Sequence, residues 1–147
     1  MSNTTVASKT CVTLIIEDDQ DDIVLLQRAL KRVSSELGIQ CEISTFPNGM
    51  EALSSVAVRD LTSRLPNVVI VDLNMPIMGG EQFLRVLRRE LELPDLPAAV
   101  LTTSSEKPVH DRAFAAGADY VFVKPNSMAD LDAIAREILH VGAAGAQ

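Results

Sequence analysis

The chain has no tryptophan, one tyrosine and four phenylalanines, so aromatic residues make up only 3% of its 147 positions. A flavin ring would find few stacking partners among them. Cysteine is equally scarce. Cys11 and Cys41 lack the spacing of a metal-binding pair. Each opens a predicted strand, where a buried free thiol is the expected state rather than a disulfide. No stretch approaches the roughly 18 consecutive apolar residues of a membrane span. Met1 to Thr10 is polar and lacks the apolar centre of a signal peptide. A cytoplasmic protein is expected. Positive charge is outnumbered, with 13 Lys and Arg against 20 Asp and Glu, a net charge of −7 and a pI near 4.7. Such a surface repels phosphate backbones and anionic headgroups, so neither nucleic acid nor membrane is an expected partner. The two histidines, His110 and His140, fall on predicted helices away from any strand end, and are expected to be exposed.

Apolar residues reach 47% and charged residues 22%, enough to build the core of one ordinary domain. Their periodicity divides the chain cleanly. Cys11 to Ile16 is an apolar run that ends in acids. Ile23, Leu26, Leu30, Val33 and Leu37 follow at helical spacing, and Gly38 is a C-terminal stop. Cys41 to Phe46 alternates as a strand, and Asn48 with Glu51 forms a helix-opening pair. Val68 to Val71 is four β-branched residues ending at Asp72. Gly79-Gly80 leads into a helix with Phe83, Leu84, Leu87 and Leu91 inward. Pro97 to Leu101 is apolar and runs into Thr102-Thr103. A short helix from about Glu106 carries Pro108, which fits only in its first turn, and stops at Gly117. Tyr120 to Val123 ends at Lys124-Pro125, and Ser127 with Asp130 opens the last helix.

Five strand–helix units in series, with strands apolar on both faces, imply an α/β fold: a doubly wound five-stranded parallel sheet of order 2-1-3-4-5, helices on both sides. The expected domain covers residues 11–141, with flexible ends at 1–10 and 142–147.

In such sheets ligands bind outside the carboxyl ends of the strands, at the switch between strands 1 and 3. Strand 1 delivers Glu17, Asp18 and Asp19 to this edge; strands 3, 4 and 5 deliver Asp72, Thr102 and Lys124. Gathered carboxylates repel one another unless a cation sits among them. A hard divalent ion with oxygen ligands, Mg²⁺ above all, is held by one or two carboxylates together with waters and phosphate oxygens. An aspartate is also a competent nucleophile for phosphoryl transfer, a reaction that needs mainly positioning and charge neutralisation. The expected roles are Asp72 as phosphoacceptor, Glu17 and Asp18 with Asp72 as the metal set, and Lys124 and Thr102 as partners of phosphoryl oxygens.

Glu17-Asp18, the run Asp72-Leu-Asn-Met-Pro-Ile-Met-Gly-Gly, Thr102 and Lys124-Pro125 together resemble the signature of the bacterial response-regulator receiver domain. The resemblance covers about residues 11–141. Thr102 lies 30 residues after Asp72, and Lys124 lies 22 after Thr102, as in the family pattern. It implies a flavodoxin-like fold and a phosphoacceptor signalling protein that is not an enzyme, its chemistry confined to phosphorylation and dephosphorylation of itself. Phosphate would come from a sensor histidine kinase. The main-chain carbonyl of Asn74 is a further implied metal ligand, and Lys124-Pro125 an implied cis bond. The Glu-Asp order of the first pair, Asp21-Asp22 after it and the run Leu101-Thr-Thr-Ser104 are similar to the small receivers that partner bacterial phytochromes. That likeness implies a homodimer through the helix 4, strand 5 and helix 5 region. No output domain is expected after helix 5.

The family's usual aromatic residue three positions before the lysine is replaced here by Val121, with Tyr120 one place earlier on the other strand face. Two other readings share some of the chemistry. A phosphohydrolase with an aspartate nucleophile usually has a second Asp two residues on, where this chain has Asn74. A docking module on the same fold would need no phosphate.

Overall fold

Residues 9–144 are described by a computed structural model. The strands are β1 (Lys9–Ile16), β2 (Ile39–Phe46), β3 (Val68–Asp72), β4 (Ala98–Thr102) and β5 (Tyr120–Val123). The helices are α1 (Gln20–Leu37), α2 (Gly49–Leu61), α3 (Gly80–Arg85), α4 (Lys107–Ala116) and α5 (Met128–Ala144). The sheet is parallel throughout, in the order β2-β1-β3-β4-β5. Both the fold class and the strand order match the expectation from the sequence.

Strand alternation sorts the core into two layers. Leu14, Ile16, Val69, Val71 and Val100 pack under α2, α3 and α4 with Phe83, Leu84 and Leu87. Ile15, Ile70, Ala99 and Leu101 face α1 and α5, against Leu26, Leu30, Leu131 and Ile138. All five residues of β3 and of β4 are buried, which is why these strands read as unbroken apolar runs.

The helix ends follow the local chemistry. Asp19 opens α1, its Oδ1 accepting the Asp22 N–H at 3.0 Å; Gly38 closes it at φ 68°, a left-handed position suited to glycine. Asn48 Oδ1 accepts the Glu51 N–H at 3.0 Å, and Asn48 Nδ2 donates to the Glu51 carboxylate at 3.0 Å. Pro108 lies in the first turn of α4. Ser127 Oγ accepts the Asp130 N–H at 3.1 Å at the start of α5.

Regular structure extends past both bounds of the expected domain. Lys9 and Thr10 belong to β1, because β2 extends back to Ile39 and Gln40 and supplies their ladder partners. At the other end α5 continues through Ala144. Gly142 fits against β1 and β3: a Cβ there would lie 2.5 Å from Cys11 Sγ and 3.2 Å from Val68 Cγ1. Ala143 beside it is buried. The rest of the expected flexible ends, residues 1–8 and 145–147, lies outside the described residues.

The third helix is not uniform. After Arg85 it widens into a π-helical turn, Val86–Glu90, closed by the Leu91 N–H donating to the Val86 carbonyl at 3.0 Å. Leu91, expected on the buried face, is instead the residue that ends the turn and is only partly buried. Below it Arg88 acts as a clasp. Its guanidinium donates to the carbonyls of Leu93 (2.6 Å), Leu96 (2.7 Å) and Gly117 (2.8 Å), and to Asp119 Oδ2 (3.1 Å). Cys11 and Cys41 are free and buried, as expected. Among the described residues no helix is long and apolar enough to cross a membrane.

Candidate functional site

The register of the sheet assembles the site. Ile16 pairs with Val71, so the next residues, Glu17 and Asp72, emerge side by side. Asp72 pairs with Leu101 and Thr102 with Val123, which brings Thr102 and then Lys124 to the same edge. Carboxylate oxygens of Glu17, Asp18 and Asp72 all lie within 4.8 Å of one another. Glu17 and Asp72 are buried, 6% and 7% exposed, whereas Asp18 faces solvent.

Burial pushes the Asp72 carboxyl above the usual carboxylate range, against the pull of Lys124 and of the Asn74 N–H. Glu17 is raised for the same reason, its burial outweighing bonds from Lys124 and from the Asp19 N–H. Burial alone would lower Lys124, but Asp22 and Glu17 outweigh it and raise the lysine pKa. A raised carboxyl keeps more protons in the native state than in the unfolded chain, between its unfolded value of about 4 and its raised value. The metal-free fold therefore gains stability as pH falls into that window, and loses it as pH rises through the raised values. The raised lysine acts at the alkaline end, its contribution disappearing only above its unfolded value of about 10.4. Asp72→Asn removes one raised carboxyl. Its denaturation midpoint is expected to depend less on pH than that of the wild type as pH rises above the ordinary carboxylate value of about 4.

Lys124 Nζ lies 2.9 Å from Glu17 Oε2 and 2.8 Å from Asp22 Oδ2, but 3.7 Å from Asp72 Oδ1. Nothing in the sequence pattern assigned Asp22 this contact; it arises because the first turn of α1 sits beside the end of β5. The Lys124–Pro125 bond is trans, since no cis peptide occurs among the described residues; this corrects the cis bond implied by the resemblance. The trans form is the intrinsically favoured one, by about 0.5–1 kcal/mol.

Thr102 is 1% exposed, and its Oγ1 accepts the Ser104 N–H at 3.1 Å. His110 Nε2 donates to the Ser104 carbonyl at 2.7 Å. His110 is thus a half-buried tether of the β4–α4 loop rather than an exposed residue, while His140 is exposed. Val121 packs on the α2–α4 face, and Tyr120 stacks on Phe122 at 6.2 Å on the opposite face. Between Asp72 and α3 the chain makes a tight turn. Ile77 takes φ 69°, and the Met78 N–H donates to the Pro76 carbonyl at 2.7 Å. Gly80 lies so close that a Cβ would be 2.5 Å from the Asp72 carbonyl oxygen.

Three hard oxygen donors, two of them buried, converge opposite a single ammonium group. This donor set fits a divalent cation. Beside it a cleft of about 60 Å³ is lined by the polar Glu17, Asp22, Asp72 and Lys124 together with the apolar Leu25 and Leu101.

The profile of the response regulator receiver domain matches residues 13–136. The chain belongs to this family. A receiver is a signalling phosphoacceptor of two-component regulation, and the five-stranded architecture and acid edge are in keeping with that. A probable methanogenesis regulatory protein, FilR2 of Methanothrix harundinacea, is 30% identical over 86% of this chain and 80% of its own length. Against several other relatives the receiver spans about half of their length. The crystal structure of the phosphorylated cyanobacterial phytochrome response regulator RcpA shares the fold, with TM-score 0.75 and 24% identity over 91% of this chain and 93% of that one. The response regulator RPA3017, in red light signaling of R. palustris, has TM-score 0.75 and 26% identity over 88% of this chain and 92% of its own. The receiver is therefore similar to phytochrome-associated response regulators as well as belonging to the wider family.

Proposed function

We propose that this receiver accepts a phosphoryl group on Asp72 from the phosphohistidine of a sensor histidine kinase, in a Mg²⁺-dependent reaction, and signals through altered protein binding. The observation that carries this is the convergence of the Glu17, Asp18 and Asp72 carboxylates, with Lys124 beside them. An Asp72 carboxylate oxygen attacks phosphorus, the P–N bond breaks, and the leaving imidazole takes up a proton. Glu17, Asp18 and Asp72, with the Asn74 main-chain carbonyl, would hold the metal. Bound there, the ion neutralises charge on the phosphoryl oxygens.

Lys124 supplies an ammonium to one phosphoryl oxygen. The Thr102 hydroxyl donates to another after giving up the Ser104 N–H. That movement frees the β4–α4 loop, which His110 otherwise anchors to α4. α4 buries only Ala113 and Ala116, so little packing opposes its displacement. The protein does no chemistry on external substrates and works in the cytoplasm.

A bacterial phytochrome is the proposed kinase, on the strength of the likeness to RcpA and RPA3017. Phe114, Tyr120 and Val123, all partly exposed on α4 and β5, are the proposed homodimer seam.

Acetyl phosphate with Mg²⁺ is expected to leave one acid-stable, base-labile phosphoryl group on the wild type and none on Asp72→Asn, read by intact-protein mass. Equal labelling of both proteins, or of neither, would sink the proposal. Phosphotransfer profiling against purified histidine kinases tests the partner.

A further inference from the structure

Lys124 has three N–H donors, and the structure accounts for two. One goes to Glu17 at 2.9 Å and one to Asp22 at 2.8 Å. Asp72 Oδ1 at 3.7 Å is beyond hydrogen-bond reach. The two partners differ in kind. Glu17 belongs to the acid triad that fits a cation, whereas Asp22 stands outside it, on the first turn of α1. The Asp22 backbone is fixed in place, because its own N–H is tied to Asp19 Oδ1, the side chain that opens the helix. Once Glu17 is engaged by a cation it has less negative charge to offer the ammonium. Asp22 is then the carboxylate left to hold it.

We propose that Asp22 is a positioning residue that keeps Lys124 drawn aside from Asp72 until a phosphoryl oxygen competes for the ammonium. This rests on the phosphoacceptor reading of the same edge. Asp22 sets how readily the site takes a phosphoryl group, without touching that group itself. The Lys124 side chain is 18% exposed and that of Asp22 40% exposed. The contest is therefore between a solvent-facing carboxylate and a more highly charged group in a more buried place. The phosphoryl group wins, but its affinity is reduced by whatever Asp22 holds back.

Beryllofluoride, which mimics the phosphoryl group on an aspartate, is the probe. Its affinity is measured at saturating Mg²⁺ for the wild type, Asp22→Asn, Lys124→Ala and the double variant. Asp22→Asn is expected to bind about two- to fivefold more tightly, the range that one partly exposed ion pair supports. In the Lys124→Ala background the same change is expected to have no effect. Unchanged or weaker binding by Asp22→Asn overturns the inference, as does a gain that persists without Lys124, which would be plain charge repulsion. Asp22→Ser repeats the test should the asparagine variant fold poorly.

A second readout needs no metal. In the metal-free proteins the denaturation midpoints of the wild type and the three variants should be non-additive between positions 22 and 124, and additivity overturns the proposed hold of Asp22 on Lys124. A wild type that binds no beryllofluoride overturns the phosphoacceptor reading. A wild type that binds it, with Asp22→Asn unchanged, overturns the proposed hold alone.

Discussion

Asp18→Asn is expected to raise the melting temperature of the metal-free protein and to remove most of the stabilisation that Mg²⁺ gives the wild type. Asp18 brings a third carboxylate within 4.8 Å of two buried ones, and Lys124, already shared by Glu17 and Asp22, offsets only part of that charge. Neutralising an exposed member of such a cluster relieves modest, solvent-screened repulsion. A rise of about 2–4 °C is the expected scale for a domain of this size. Mg²⁺ acts in the opposite sense on the wild type. At a hundred times its dissociation constant a ligand stabilises by about 2.7 kcal/mol, which corresponds to roughly 5–11 °C here. Differential scanning fluorimetry with and without Mg²⁺ reads both effects. An asparagine variant that melts lower without metal and binds Mg²⁺ unchanged would remove Asp18 from the metal set.

Arg88→Ala is expected to cost about 3 kcal/mol. The side chain is 13% exposed, and its guanidinium satisfies the carbonyls of Leu93, Leu96 and Gly117. Alanine leaves these acceptors without their donor, and buried unsatisfied acceptors cost about 1–3 kcal/mol each. It also releases Asp119, whose Oδ2 takes the Ala98 N–H at 2.9 Å and so fixes the start of β4. Arg88→Lys should recover little, because one ammonium cannot reproduce a planar fork bound to several carbonyls. Urea denaturation of the three proteins gives the comparison. A lysine variant as stable as wild type would mean that charge alone, not the fork, holds the clasp.

The strand ends were legible because each apolar run stops abruptly at a polar residue, and in a parallel sheet those stops fall on one edge. Glu17, Asp18, Asp72, Thr102 and Lys124 could be gathered by that rule alone, and the structure brings them together. Arg88 could not be found in this way. An arginine on a helix reads as a solvated residue, and its partners lie in two loops, before β4 and before β5, that only the tertiary fold brings near. Asp22 reads as part of an acidic pair, yet its hold on Lys124 spans 102 residues of sequence. The π-helical turn was hidden too: Leu87 and Leu91 have a spacing that an ordinary helix explains equally well. Lys9 and Thr10 look like a polar lead-in, and only their pairing with Ile39 and Gln40 makes them strand. Sequence patterns report what each segment buries, not which distant groups it meets.

The close fit of Gly142 against Cys11 and Val68 has a practical consequence. It seats the end of the last helix on the beginning of the first strand, at the pole of the sheet opposite the acids. Polypeptide joined to either end of the domain therefore leaves from that far pole. A fluorescent reporter or affinity handle fused there is expected to leave the phosphotransfer edge open to its kinase, whereas an insertion in the β4–α4 loop would not.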